Sequence, residues 1–133
     1  MIAGLSHVSI AVPKLEPAIE ALNRTYGLVA GEIKTNSRQG VRLVLFDLGN
    51  AKIELIEPTN PNSPIAKFLE RNPRGGIHHF SLETETFDAA YENLTSKGVT
   101  LLGNKGQSSV DGNPIAFIHP KDFLGSLVEL EGH

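Results

Sequence analysis

Short runs in which apolar and polar residues alternate mark strands, because successive side chains on a strand point to opposite faces. Val8, Ile10 and Val12 alternate with His7, Ser9 and Ala11. Phe80 and Leu82 alternate with His79 and Ser81, and Val128 and Leu130 alternate with Glu129 and Glu131. Ile53 and Leu55 stand opposite Lys52, Glu54 and Ile56. In each run the apolar pair is expected to face the core beneath a helix, with the polar residues on the other face.

Apolar residues at spacings of three and four mark the helices. Leu15, Ile19, Leu22 and Tyr26 form one such stripe, and Gly27 stands where that helix ends. Phe87, Ala90, Tyr91 and Leu94 form a second, with Thr86 as its expected N-cap and Gly98 as its stop. Extended segments follow each helix: 28–34, 41–48 and 52–57 after the first, 99–102, 115–119 and 126–131 after the second. Gly49-Asn50 is a turn signal between two of them. Between the halves lies a stretch rich in Pro, Asn and Gly at both ends. Within it Ser63 is placed to cap a short helix begun by Pro64, with Ile65, Phe68 and Leu69 on one face.

The two halves repeat each other. Leu5-Ser6-His7-Val8-Ser9-Ile10 is echoed by Ile77-His78-His79-Phe80-Ser81-Leu82. Lys52-Ile53-Glu54-Leu55-Ile56 is echoed, in the same order and at nearly the same separation, by Leu127-Val128-Glu129-Leu130-Glu131. Two ordered echoes point to a duplicated module. The expectation is a single α+β domain over residues 1–133, built from two tandem βαβββ modules (4–57 and 76–132) joined by a connector (58–75). A curved, cup-like mixed sheet with helices outside is its expected form.

Composition narrows the function classes. The 133 residues carry 12 Lys and Arg against 15 Asp and Glu, a formal charge of −3, so no basic surface argues for nucleic acid or an anionic membrane. With no cysteine there is no disulfide framework, thiolate nucleophile or Cys-based zinc site. No apolar run reaches membrane-spanning length, and the N-terminus lacks a basic stretch ahead of a hydrophobic one. A cytoplasmic location is the expectation.

If the halves pack into one sheet, His7, His79, Glu54 and Glu129 can converge on one side of it. Two imidazoles and two carboxylates suit zinc, cobalt, manganese, nickel or iron, and six-coordination would leave two positions open for a substrate. Lone strand histidines are more often structural, and His78, His119 and His133 are read that way. His7 and His79 stand apart because they share one position of the repeat. Alternation alone leaves Glu54 and Glu129 open to the opposite reading, as solvent-facing residues of an antiparallel sheet. Residues 103–112 are glycine-rich but lack a phosphate-loop pattern, and read as a loop. Arg38, Arg74 and Lys121 read as surface charges.

With those residues in view, the chain resembles the vicinal-oxygen-chelate, or glyoxalase, superfamily and, within it, the methylmalonyl-CoA epimerase family. The resemblance runs through Leu5-Ser6-His7-Val8-Ser9-Ile10-Ala11-Val12, Ile53-Glu54-Leu55-Ile56-Glu57-Pro58 and the connector from Asn62 to Glu70. It continues through Gly75-Gly76-Ile77-His78-His79-Phe80, the close His119-Pro120-Lys121-Asp122-Phe123-Leu124-Gly125, and Leu127-Val128-Glu129-Leu130-Glu131. The connector and the close are the parts specific to epimerases.

The resemblance implies metal ligands His7, Glu54, His79 and Glu129, and a divalent ion, cobalt foremost, with manganese, nickel, zinc or iron as alternatives. It implies (R)- and (S)-methylmalonyl-CoA as substrates, a homodimer and a place in propionate metabolism. Glu129 is the candidate for proton transfer. Some family members carry a second glutamate on the third strand, where this chain has Leu43. Two rival readings remain in the same superfamily. Glyoxalase I (lactoylglutathione lyase) has a similar ligand pattern, but typically closes with Asp-Pro-Asp-Gly-Tyr where this chain has His119-Pro120-Lys121-Asp122-Phe123. A metal-free small-molecule-binding protein would commonly lack one or more of the four ligands. Ring-cleaving dioxygenases use two histidines and one carboxylate, which a liganding Glu54 opposes.

Overall fold

A computed structural model describes every residue except Asn104. The first half runs β1 (Gly4–Ala11), α1 (Leu15–Tyr26), β2 (Lys34–Asn36), β3 (Val41–Asp47) and β4 (Lys52–Pro58). The connector carries α2 (Pro64–Arg71). The second half runs β5 (Gly76–Thr84), α3 (Phe87–Ser96), β6 (Leu101–Leu102), β7 (Ile115–Ile118), a 3-10 turn (Pro120–Asp122) and β8 (Val128–Gly132). Strand, helix and three strands recur in both halves, as the repeat predicts.

The chain forms two compact units. One comprises Val8–His78, the other Met1–His7 with His79–His133, so β1 contributes to both. In the first, the strand order is β2-β3-β4-β1, with β2/β3 and β3/β4 antiparallel. Leu15 of α1 packs with Val12, Val44, Phe46 and Leu55, and Ile10, Ile19, Leu22 and Ile53 pack against them. The other face of the sheet is also covered. Ala11, Val41, Leu43 and Ile56 pack under Ile65 of α2, with Phe68 and Leu69 beside it. Ser63 caps α2 as predicted, its Oγ accepting from the Ala66 N–H at 3.1 Å.

In the second unit the order is β1-β5-β8-β7-β6. β5 and β8 run parallel, as strands separated by a helical crossover can, while β7/β8 and β6/β7 are antiparallel. Phe87 and Ala90 of α3 pack on Ala116 and Leu130, with Tyr91 and Leu94 at the margin. The opposite face holds His79, Ser81, Glu129 and Glu131, all buried. Glu129 is therefore not a solvent-facing residue of an antiparallel sheet, and the polar side of these strands is an interior surface.

Several sequence expectations are corrected. Residues 28–34 form no strand before Lys34: Leu28 and Ala30 pack singly on the core while Val29 is exposed, and the Gly31 N–H meets the Leu45 carbonyl at 2.8 Å. Tyr26 lies outside the buried stripe of α1, at 71% exposure, where the helix turns into its left-handed Gly27 cap. Thr86 makes no side-chain cap on α3. Instead Thr84 Oγ1 accepts from the Thr86 N–H. β6 shrinks to Leu101–Leu102. His119 leaves the strand and accepts, through Nδ1, from the Lys121 N–H to start the 3-10 turn. Residues 126 and 127 precede β8 as irregular chain, with the Ser126 N–H on the Phe123 carbonyl. The loop expected over 103–112 includes Asn104, which lies outside the described residues; a bridge between Ser108 and Pro114 follows it.

Candidate metal centre

β1 and β5 each deliver one histidine from the same register of the repeat, and β8 delivers the carboxylate between them. Glu129 Oε1 lies 3.7 Å from His7 Nε2, and Glu129 Oε2 lies 4.0 Å from His79 Nε2. The imidazole rings stand edge to face, with centroids 5.9 Å apart. All three residues are buried, Glu129 at 6% exposure. Phe117 of β7, the register partner of Glu129, packs edge-on against His79 at 5.4 Å. A buried carboxylate with an imidazole nitrogen facing each oxygen is costly to desolvate unless cations or protons compensate it. Two imidazole nitrogens and a carboxylate at these separations suit a divalent transition metal as a donor set.

Glu54 lies on β4, in the other unit. Ser9 Oγ donates to its Oε1. This bond has a counterpart: Ser81 Oγ donates to Glu129 Oε1 at 2.9 Å, across the parallel register that pairs Ser81 with Glu129. In both modules the serine two residues after the histidine orients that module's glutamate. Sequence reasoning placed Ser9 and Ser81 on the histidine face but gave them no role. The signal was present, since both serines repeat with the histidines.

Two further polar residues adjoin His7. Ser6 Oγ donates to Glu131 Oε1 at 2.8 Å and lies 3.0 Å from His7 Nδ1. One donor atom each from His7, Glu129 and Glu131 lies within 4.8 Å of the others. The repeat carried no signal for Ser6, because His78 takes its place in the second module. The His78 ring packs edge-on to Phe68 at 5.2 Å, and burial lowers its pKa from the ordinary histidine value. His133 pairs with Glu83 at 3.1 Å and with Glu131 at 3.2 Å. Leu43, at 5% exposure, lies in the apolar cluster under α2.

Residues 6–117 match the model of the Glyoxalase/Bleomycin resistance protein/Dioxygenase superfamily, and the chain belongs to that family. Among named relatives, it is 46% identical over 132 residues to the ethylmalonyl-CoA/methylmalonyl-CoA epimerase of Cereibacter sphaeroides, covering 98% of each chain. The crystal structure of methylmalonyl-CoA epimerase from Mycobacterium tuberculosis superposes with a TM-score of 0.92 at 35% identity, over 98% of this chain and 88% of that one. A Streptomyces coelicolor methylmalonyl-CoA epimerase variant in complex with 2-nitronate-propionyl-CoA superposes with a TM-score of 0.91 at 30% identity, over 99% and 98%. The fold is that of the glyoxalase superfamily, and these relatives and structural neighbours are epimerases of it. No described helix is long and apolar enough to cross a membrane.

Proposed function

We propose that the chain is a metal-dependent epimerase that interconverts (R)- and (S)-methylmalonyl-CoA. The observation that carries the reading is the buried Glu129 carboxylate, with one histidine Nε2 facing each of its oxygens. His7, His79 and Glu129 would hold the ion, with Glu54 as the fourth ligand implied by the repeat. When bound, a divalent ion supplies a Lewis acid that stabilises negative charge on the substrate oxygens.

The substrate's α-carbon lies between a thioester and a carboxylate, and losing its proton delocalises charge into the thioester. Epimerisation needs a group that takes that proton and another that returns one to the opposite face. Glu129 is the proton-transfer residue of this reading, and Ser81 keeps its carboxylate aimed by donating to Oε1. Leu43 has no proton acceptor, so the second proton-transfer group is another residue. Cobalt is the expected ion, with manganese, nickel, zinc or iron as alternatives. A homodimer in the cytoplasm is the expected working form, and light scattering of purified protein tests the dimer.

The test is exchange of the methylmalonyl-CoA α-proton in deuterated buffer, with metal supplied or chelated and an enzyme-free control. Metal-dependent deuterium incorporation well above the control, abolished in His79→Ala, is the expected result. Metal-loaded protein that exchanges no faster than buffer overturns the assignment and favours a glyoxalase or metal-free binding protein.

A further inference from the structure

We infer that Ser6 and Glu131 hold the His7 imidazole with its proton on Nδ1, so that in the neutral ring the lone pair sits on Nε2, the nitrogen facing Glu129. A serine hydroxyl has one proton to donate and lone pairs with which to accept. An ionised carboxylate can only accept, so the 2.8 Å bond from Ser6 Oγ to Glu131 Oε1 uses the serine's proton. The 3.0 Å contact between Ser6 Oγ and His7 Nδ1 then has one available direction, with Nδ1–H as donor and Oγ as acceptor. His133 Nε2 also lies 3.2 Å from Glu131 Oε1, and as a donor there it reinforces the acceptor role of the carboxylate.

A free histidine side chain favours the opposite tautomer, with the proton on Nε2. Glu131 therefore selects, through one intervening hydroxyl, the form that an Nε2-liganded metal requires. An imidazole ligand is oriented and made more basic by a partner on its other nitrogen. Ser6 and Glu131 are positioning residues. They act through His7. The consequence for metal affinity rests on the metal reading above; the tautomer itself does not.

Long-range proton–nitrogen correlation spectra of the metal-free protein, at a pH where the ring is neutral, read the tautomer directly. Wild type and Ser6→Thr are expected to show His7 protonated on Nδ1. In Glu131→Ala the Ser6 hydroxyl is released to donate toward Nδ1, and His7 is expected to shift toward the Nε2-protonated form. Ser6→Ala is expected to shift likewise, with Co²⁺ bound at least about tenfold more weakly and Ser6→Thr restoring affinity. An Nε2-protonated His7 in wild type overturns the proposal. So does an unchanged His7 spectrum in a folded Ser6→Ala or Glu131→Ala protein. Wild type that shows the Nδ1–H form but binds no Co²⁺ refutes the metal reading and leaves the tautomer assignment standing.

Discussion

Ser81 illustrates how much a single hydroxyl contributes to the site. A hydrogen bond to an ionised carboxylate contributes about 1.5–3 kcal/mol, and this one also fixes which way Glu129 points. Ser81→Ala is expected to keep the fold, weaken Co²⁺ binding by about tenfold and lower the α-proton exchange rate, as metal titration and exchange measurements would show. Leu43 is the opposite case. Introducing a glutamate there would bury a carboxylate beside Ala11, Ile56 and Ile65. Leu43→Glu is expected to cost about 1–3 kcal/mol in urea unfolding, because a carboxylate replaces a buried apolar side chain, with Lys34, its register partner on β2, as the cross-strand cation.

At the scale of elements, polar groups at chain ends and crossings set the geometry. Arg42 on β3 donates to Glu57 on β4 at 2.8 Å and to both oxygens of Glu16 in the first turn of α1. Glu57 is buried and also accepts from the Leu15 N–H, so it ties the start of α1 to the sheet. The bond from Arg42 holds the exposed Glu16 carboxyl below its ordinary value of 4.5. A lowered folded value means stability that is present above 4.5 and is lost as pH falls through the folded value. Urea unfolding of wild type and Glu16→Gln is accordingly expected to differ near neutral pH and to converge in acid, with a smaller difference at high salt. α2 depends on its cap, and Ser63→Ala is expected to cost about 1 kcal/mol in the same assay. Gly75 permits the return from the connector into β5. Its φ is 92°, and an added Cβ would stand 2.4 Å from the Ala11 carbonyl oxygen, so Gly75→Ala is expected to be more disruptive than the loss of that cap.

For the whole molecule, a ligand that binds the folded chain and not the unfolded one raises stability with its concentration, by about 2.7 kcal/mol at a hundredfold excess over Kd. Thermal melts with Co²⁺ are expected to shift upward, return to baseline with chelator, and shift less in His7→Ala and Glu129→Ala. Features of local period were legible in the residues alone: the duplicated strand-helix-strand order, the Gly27 stop, the Ser63 cap, and the shared register of His7 with His79 and of Glu54 with Glu129. These are legible because helix and strand periods and end signals act over a few residues. Long-range packing supplied the rest. It buried the polar face of β5 and β8, which an alternating pattern reads equally well as solvent-facing. It reduced 28–34 to isolated packing contacts, because ladder partners come from distant strands. It placed Ser6 against Glu131 from the opposite end of the chain, a pairing that only strand order and register can make.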